Sequence, residues 1–413
     1  MSLLLALGWT LAHAAEPAAL APAPVDTAPT LAPTRVRPQL DALPVLAWSA
    51  RLAGPPGPGA GRSEPAAPVA YGDRIFVGRS GVEGLLVLDR RDGSLLQTLP
   101  AKAPVLCAPV IADGWIWFAD ASGTVQAYKL DALDLATPAW THFGGAPVVS
   151  APVRVGDKLL VTNVDDRAYV LDLRTGALAW RYQHKVEASR GGSMQLFGAP
   201  AAWADPSRNL ALVGESDGLL VALDLDDGEP RDTLPTGTGA YPDLIAPAML
   251  VTEAGASPLV VAGGFSGPLQ AVNYETRAPA WRLDIGSASP WTRVDGTIYH
   301  GGTDGKLRRI DARTGAVAWT WDSGDDGTLT TPIWTAQGLL VASAEGTLRI
   351  VDADAGTTRW TFEVDDVDSH GFSAAPFVDG DTIYALSNGG VLYALHAPAP
   401  TPARTIDPWV SSN

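Results

Sequence analysis

A proline-headed unit returns along this chain about every 44 residues, with its proline at Pro68, Pro109, Pro152, Pro200, Pro247, Pro290, Pro332 and Pro376. Each proline opens a run of alternating residues, then a Gly/Asp turn, then a second run, as in "SPWTRVDGTIYHGGTDGKLRRIDARTGAVAWTW". At a fixed place in each unit stands Asp89, Asp131, Asp172, Asp224, Asn273, Asp311, Asp352 or His396. A Trp follows shortly after in five units: Trp140, Trp180, Trp281, Trp319 and Trp360. Units one and four lack it.

Such a period predicts about four short strands per unit, the pattern of a propeller blade. Composition agrees: 43 Gly and 34 Pro beside only 18% charged residues suit short strands and turns better than long helices. Eight units predict an all-β, eight-bladed β-propeller. The eighth unit ends at "YALHAPAP" without its Trp strand, and "VLAWSARL" with Trp48 precedes the first proline. That N-terminal strand is expected to complete the last blade and leave no open sheet edge.

The Asp should accept backbone N–H groups of the turn it begins. The Gly four residues on should supply a positive φ. The Trp should pack on the neighbouring blade, at a cost of roughly 3–5 kcal/mol if lost, against about 1 kcal/mol for the Asp hydrogen bond. The motif reads mostly as blade-to-blade adhesive.

Around this ring we expect four regions. Residues 1–15 read as a signal peptide: an apolar run from Leu3 to Leu11 precedes Ala12-His13-Ala14, although no Lys or Arg stands ahead of it. The run is too short to span a bilayer, so the expected location is periplasmic or secreted. No cysteine near the cleavage site offers a lipid anchor. Residues 16–44 read as an Ala/Pro-rich, disordered linker, 45–397 as the propeller and 398–413 as a tail.

The net charge of −16 opposes general nucleic-acid binding. The lone Cys107 permits neither an intramolecular disulfide nor a cysteine zinc site and reads as a core residue. "GESDG" (Gly214–Gly218) matches a nucleophile-elbow pattern, but it aligns with "GGTDG" and "ASAEG" and reads as the turn between the second and third strands of a blade. "DLDDGE" lacks the Glu a calcium-binding loop needs at its twelfth position, which is Pro235. "EVDDVDSHG" reads as a solvated acidic connection. His142, His184, His300, His370 and His396 show no metal-ligand spacing. Side chains gathered by ring assembly stay invisible at this level.

"VLDLRTGALAW" (Val170–Trp180) and "RIDARTGAVAW" (Arg309–Trp319) resemble the pyrroloquinoline-quinone-type propeller repeat. The resemblance covers about Val45 to Ala397 and is specific for the fold rather than the function. One branch, the quinoprotein dehydrogenases, carries a disulfide of adjacent cysteines, which this chain cannot form. The other is the BamB family, eight-bladed accessory components of the bacterial outer-membrane barrel-assembly machinery. Its Leu-Arg-Gly-x-Ser-like loop is matched by Ser189-Arg190-Gly191-Gly192-Ser193, with Ser189 in place of the Leu. Its Asp-Val-Asp-x-x-Pro loop is similar to "GAYPDLIAP", where Asp243 is the one acidic residue. This resemblance implies a non-enzymatic periplasmic interaction scaffold, without catalytic residues, cofactor or metal. It also implies docking to POTRA domains through Arg190, Gly191 and Asp243. A propeller that binds a small molecule or a quinone-type cofactor, and a structural repeat protein with an unknown partner, remain alternatives.

Overall fold

The computed structural model describes residues 43–52, 63–185, 202–237, 243–265, 267–324, 327–364 and 371–397. The segments expected to be signal peptide, linker and tail therefore lie outside the described residues, apart from Leu43 and Pro44.

Eight antiparallel four-stranded sheets form the ring. Blade 3 shows the common plan: Val153–Val155, Lys158–Asn163, Arg167–Asp172 and Leu178–Gln183. The second and third strands are buried almost throughout, as in Leu210–Gly214 of blade 4. They lie between neighbouring blades on both faces, so both side-chain rows need apolar residues. The outer strands alternate more, because one row faces solvent. In the last blade Phe377–Asp379, Thr382–Leu386 and Val391–His396 are joined by the N-terminal strand Val45–Arg51. Its register runs from Val45 opposite His396 to Arg51 opposite Val391. The ring is thus closed by the two ends of the propeller meeting in one sheet.

The hairpins between third and fourth strands show the physics of the repeat. The Asp172 carboxylate accepts the Arg174 and Thr175 amides at 3.0 and 2.8 Å, and Asp311 accepts those of Arg313 and Thr314 at 3.1 and 2.8 Å. Asp89, Asp224 and Asp352 accept amides of their own turns in the same way. The Trp of one blade then reaches the hairpin of the next. The Trp180 indole donates to the Leu225 carbonyl at 2.9 Å, one residue past Asp224. Trp140, Trp281 and Trp319 donate to Leu173, Ala312 and Ala353 at 3.0, 3.1 and 3.2 Å.

Each of these rings lies on the glycine of the neighbouring hairpin. A Cβ on Gly228 would sit 2.5 Å from the Trp180 ring, and one on Gly176 would sit 2.5 Å from Trp140. The glycine is therefore demanded twice, by its φ of +75° or +69° and by the indole above it. Trp48 lies over Gly93 in the same manner, which ties the closing strand to blade 1. Trp360 is half-buried against the core of blades 7 and 8, where no hairpin glycine follows.

Two seams depart from this scheme. In blade 2 the hairpin position opposite Trp115 is held by Lys129. Asp131 falls two residues later, in the first turn of a 3-10 helix, Leu130–Leu135. That segment offers no glycine for the tight turn, and the helix instead buries Leu133 in the core shared by blades 1 and 2. Asp131 thus does not begin a hairpin. In blade 4 the register places Asp232 where the Trp stands elsewhere, and Arg277 (φ +63°) takes the glycine position of blade 5. The two form an ion pair across the seam.

Candidate functional site: buried carboxylates across blades 3 to 5

Antiparallel order puts the turns between second and third strands at the end of the ring opposite the Asp-containing hairpins. The register aligns one residue at the start of each of these turns: Arg79, Asp120, Asn163, Glu215, Gly264, Gly302, Ser343 and Ser387. Most of the polar ones serve their own turn. Asp120 accepts the Thr124 amide at 3.0 Å, and the Ser343 and Ser387 hydroxyls accept those of Thr347 and Val391. Glu215 does not. It is 1% exposed, and both of its carboxylate oxygens are buried without a hydrogen-bond partner.

Three neighbours bring more acid to this point. Asp217, two residues on, meets the imidazole of His184 at 3.1 Å, from the end of the blade 3 outer strand. Asp166 comes from the equivalent turn of blade 3, with φ +52° at a position where Gly123, Gly218, Gly305, Gly346 and Gly390 stand in other blades. It accepts the Ser216 amide at 3.0 Å and also binds the Ser216 hydroxyl. A left-handed backbone costs a non-glycine residue roughly 1–2 kcal/mol, and here it carries a carboxylate into the blade 4 turn. Asp243 leads into blade 5. It is 6% exposed, and its Oδ1 is buried without a partner.

Burial is the first cause of the electrostatics. It raises the Glu215 carboxyl well above its ordinary range, and the charges of Asp166 and Asp217 add to the effect. The Asp243 carboxyl is raised to about 7, first by burial and then by the same two neighbours. Asp166 is raised by burial against the opposing Ser216 hydrogen bonds. Among the described residues, no group of three or more His, Cys, Asp or Glu side chains is arranged to hold a metal ion.

Of the residues the sequence singled out for a partner, Asp243 belongs to this cluster. Arg190 and Gly191 lie outside the described residues. Glu215, Asp166 and Asp217 were not singled out. "GESDG" is indeed the turn between Leu210–Gly214 and Leu219–Asp224, and that reading hid its chemistry. Stacking the eight turns would have shown the signal: a Glu where the others carry a shorter acceptor, no side chain or an Arg, and an Asp in place of a Gly. Cys107 is fully buried, its thiol pushed up to about 12, chiefly by burial.

A sequence family described as outer membrane protein assembly factor BamB matches residues 45–145, 129–321 and 303–399. No curated protein sequence matches the chain. Among solved structures, BamB from Moraxella catarrhalis is similar at 19% identity and TM-score 0.66, over 86% of this chain and 100% of that one. The computationally designed Ika8 protein is similar at 16% identity and TM-score 0.64, over 85% and 99%. The quinohemoprotein alcohol dehydrogenase ADHIIG from Pseudomonas putida HK5 is similar at 14% and TM-score 0.65, over 90% and 80%. At these identities the structural likeness establishes the propeller fold.

Proposed function

The chain belongs to the family of outer membrane protein assembly factor BamB, and from that premise we propose that it is a non-enzymatic periplasmic scaffold for a protein partner in outer-membrane assembly. The family match across nearly the whole ring carries this reading. A rigid ring that presents irregular connections suits such a role, because recognition then needs loops rather than a catalytic constellation. We assign the contact to the connections around Arg190, Gly191 and Asp243, and the partner to POTRA domains of the barrel-assembly machinery. Location in the periplasm follows from the signal peptide read at residues 1–15. Among the described residues no helix is long and apolar enough to cross a membrane.

The test is a cross-linking pull-down from cell envelopes with the full chain. The expected result is recovery of a barrel-assembly component, lost with Arg190→Glu. Recovery of no such component sinks the reading.

The likeness to quinohemoprotein alcohol dehydrogenases supports a second reading, a propeller that binds a quinone-type cofactor. The single cysteine speaks against the adjacent-cysteine disulfide of those enzymes. A melting shift with pyrroloquinoline quinone and calcium would favour this second reading; an unchanged melting temperature would dispose of it.

A further inference from the structure

A recurrent bond makes the junction between blades 4 and 5 measurable against its equivalents. In five seams among the described residues, an amide of the segment leading into one blade donates to the carbonyl of the aligned turn residue in the blade before. The pairs are Val148 to Asp120 at 3.3 Å, Leu244 to Glu215 at 3.5 Å, Ser287 to Gly264 at 3.0 Å, Leu329 to Gly302 at 3.2 Å and Phe372 to Ser343 at 3.0 Å. The Leu244 bond is the longest of the five. It is also the one bordered on both sides by unpartnered buried carboxylates, Glu215 itself and Asp243 beside Leu244.

Among the described residues, the titratable groups facing this junction come from four places. The blade 4 turn gives Glu215 and Asp217, and the blade 3 turn gives Asp166. The end of the blade 3 outer strand gives His184 and Tyr182, and the lead-in to blade 5 gives Asp243. Four carboxylates thus meet one imidazole and one phenol. Their burial leaves little room for a partner's side chain, and they do not converge on a metal position. A buried carboxylate without a counter-charge takes a proton.

We propose that the blade 4–5 junction is a proton-operated latch, in which protons held by the Glu215 and Asp243 carboxyls keep the Leu244 amide on the Glu215 carbonyl and loss of the Asp243 proton opens that bond. With its proton gone, Asp243 on the lead-in carries the same charge as Asp166 and Asp217 on the two turns, all of them buried. Like charges at short range in such surroundings repel strongly. Asp243 relieves that repulsion by moving the lead-in segment away from the turns. The raised carboxyl of Asp243, at about 7, sets the transition near neutrality. The latch operates whether or not a partner docks on the ring, so the outcome of the envelope pull-down does not decide it.

Amide hydrogen exchange on the full chain tests this directly. Protection at Leu244 is followed from pH 5.5 to 8.5, corrected for intrinsic exchange, with Phe372 as the internal reference. The expected result is a loss of protection at Leu244 of about ten-fold or more, the equivalent of one pKa unit, while Phe372 stays level. The double variant Glu215→Gln/Asp243→Asn removes the two titrating carboxyls that border the bond, and its Leu244 protection should follow Phe372 throughout. Asp166→Gly, which restores the glycine of the other blades, removes one neighbouring negative charge that raises the Asp243 carboxyl and should move the transition to lower pH, even if the double variant fails to fold. A wild-type Leu244 profile parallel to that of Phe372 overturns the proposal. So does an unchanged transition in the double variant, or in Asp166→Gly.

Discussion

The closing seam between blades 8 and 1 and the internal seam between blades 4 and 5 solve one problem in opposite ways. At the closing seam Trp48 lies over Gly93, and Arg90 pairs with Asp379 at 2.7 Å. Arg79, the counterpart of Glu215, is 2% exposed and meets Glu64 at 3.0 Å and the Leu52 carbonyl at 3.0 Å. Glu64 itself receives the Ser80 amide, and its own amide donates to Asn388 of blade 8. At the internal seam the Trp and its glycine are replaced by the half-exposed pair of Asp232 and Arg277. On the other face the Glu215 carboxylate and the Asp243 Oδ1 lie buried without a hydrogen-bond partner. The joint between the first and last strands, where no covalent link supports the ring, is the better fastened. The weaker one lies inside the continuous chain, where connectivity already limits separation.

The largest effect expected from this contrast is at Arg79. Arg79→Met leaves Glu64 buried without its counter-charge, and breaking such a pair typically costs about 3–5 kcal/mol. The urea midpoint should fall accordingly, and a change below about 1 kcal/mol would remove the distinction between the seams. At an ordinary seam Trp180→Ala should cost a similar amount, roughly 3–5 kcal/mol by the same measurement.

A smaller effect is expected from pH. Asp243 keeps its proton in the folded chain up to about pH 7, but the unfolded chain releases it near the ordinary carboxylate range. Between these limits the native state binds the extra proton, so its contribution is full at low pH and shrinks as pH rises to about 7. The slope for one proton is at most about 1.4 kcal/mol per pH unit. Denaturation of Asp243→Asn at several pH values should show that slope removed relative to the parent; identical slopes would place the proton elsewhere. The smallest effect belongs to Asp232→Ala, because an exposed ion pair is worth about 0–1 kcal/mol. A loss as large as that of Trp180→Ala would show that the ion pair fastens its seam as firmly as the indole does.

The fold was largely legible because its causes are local and repeated. Asp172, Gly176 and Trp180 recur at the same offsets in other blades, and each carries out a contact that any copy needs. The missing Trp of units one and four was visible too. What that absence requires of the next blade was not, because it links Asp232 to Arg277 across a seam. The carboxylate cluster was hidden for the same reason. Asp166 belongs to the unit before that of Glu215, and Asp243 stands 28 residues after Glu215 on the lead-in to the next blade, so only ring assembly brings them together. Asp131 shows the opposite failure, a residue of the right type near the right offset in a segment without the glycine that the turn needs.

The register of the closing strand also gives the ring a polarity. Val45 pairs with His396, at the end that carries the Asp-containing hairpins, and Arg51 pairs with Val391 at the end of the Glu215 turn. The chain therefore enters the propeller on the hairpin side. Anything that holds the protein from upstream of residue 43 would draw that side toward its anchorage. The carboxylate-bearing side would then be turned outward, toward whatever approaches from the opposite direction.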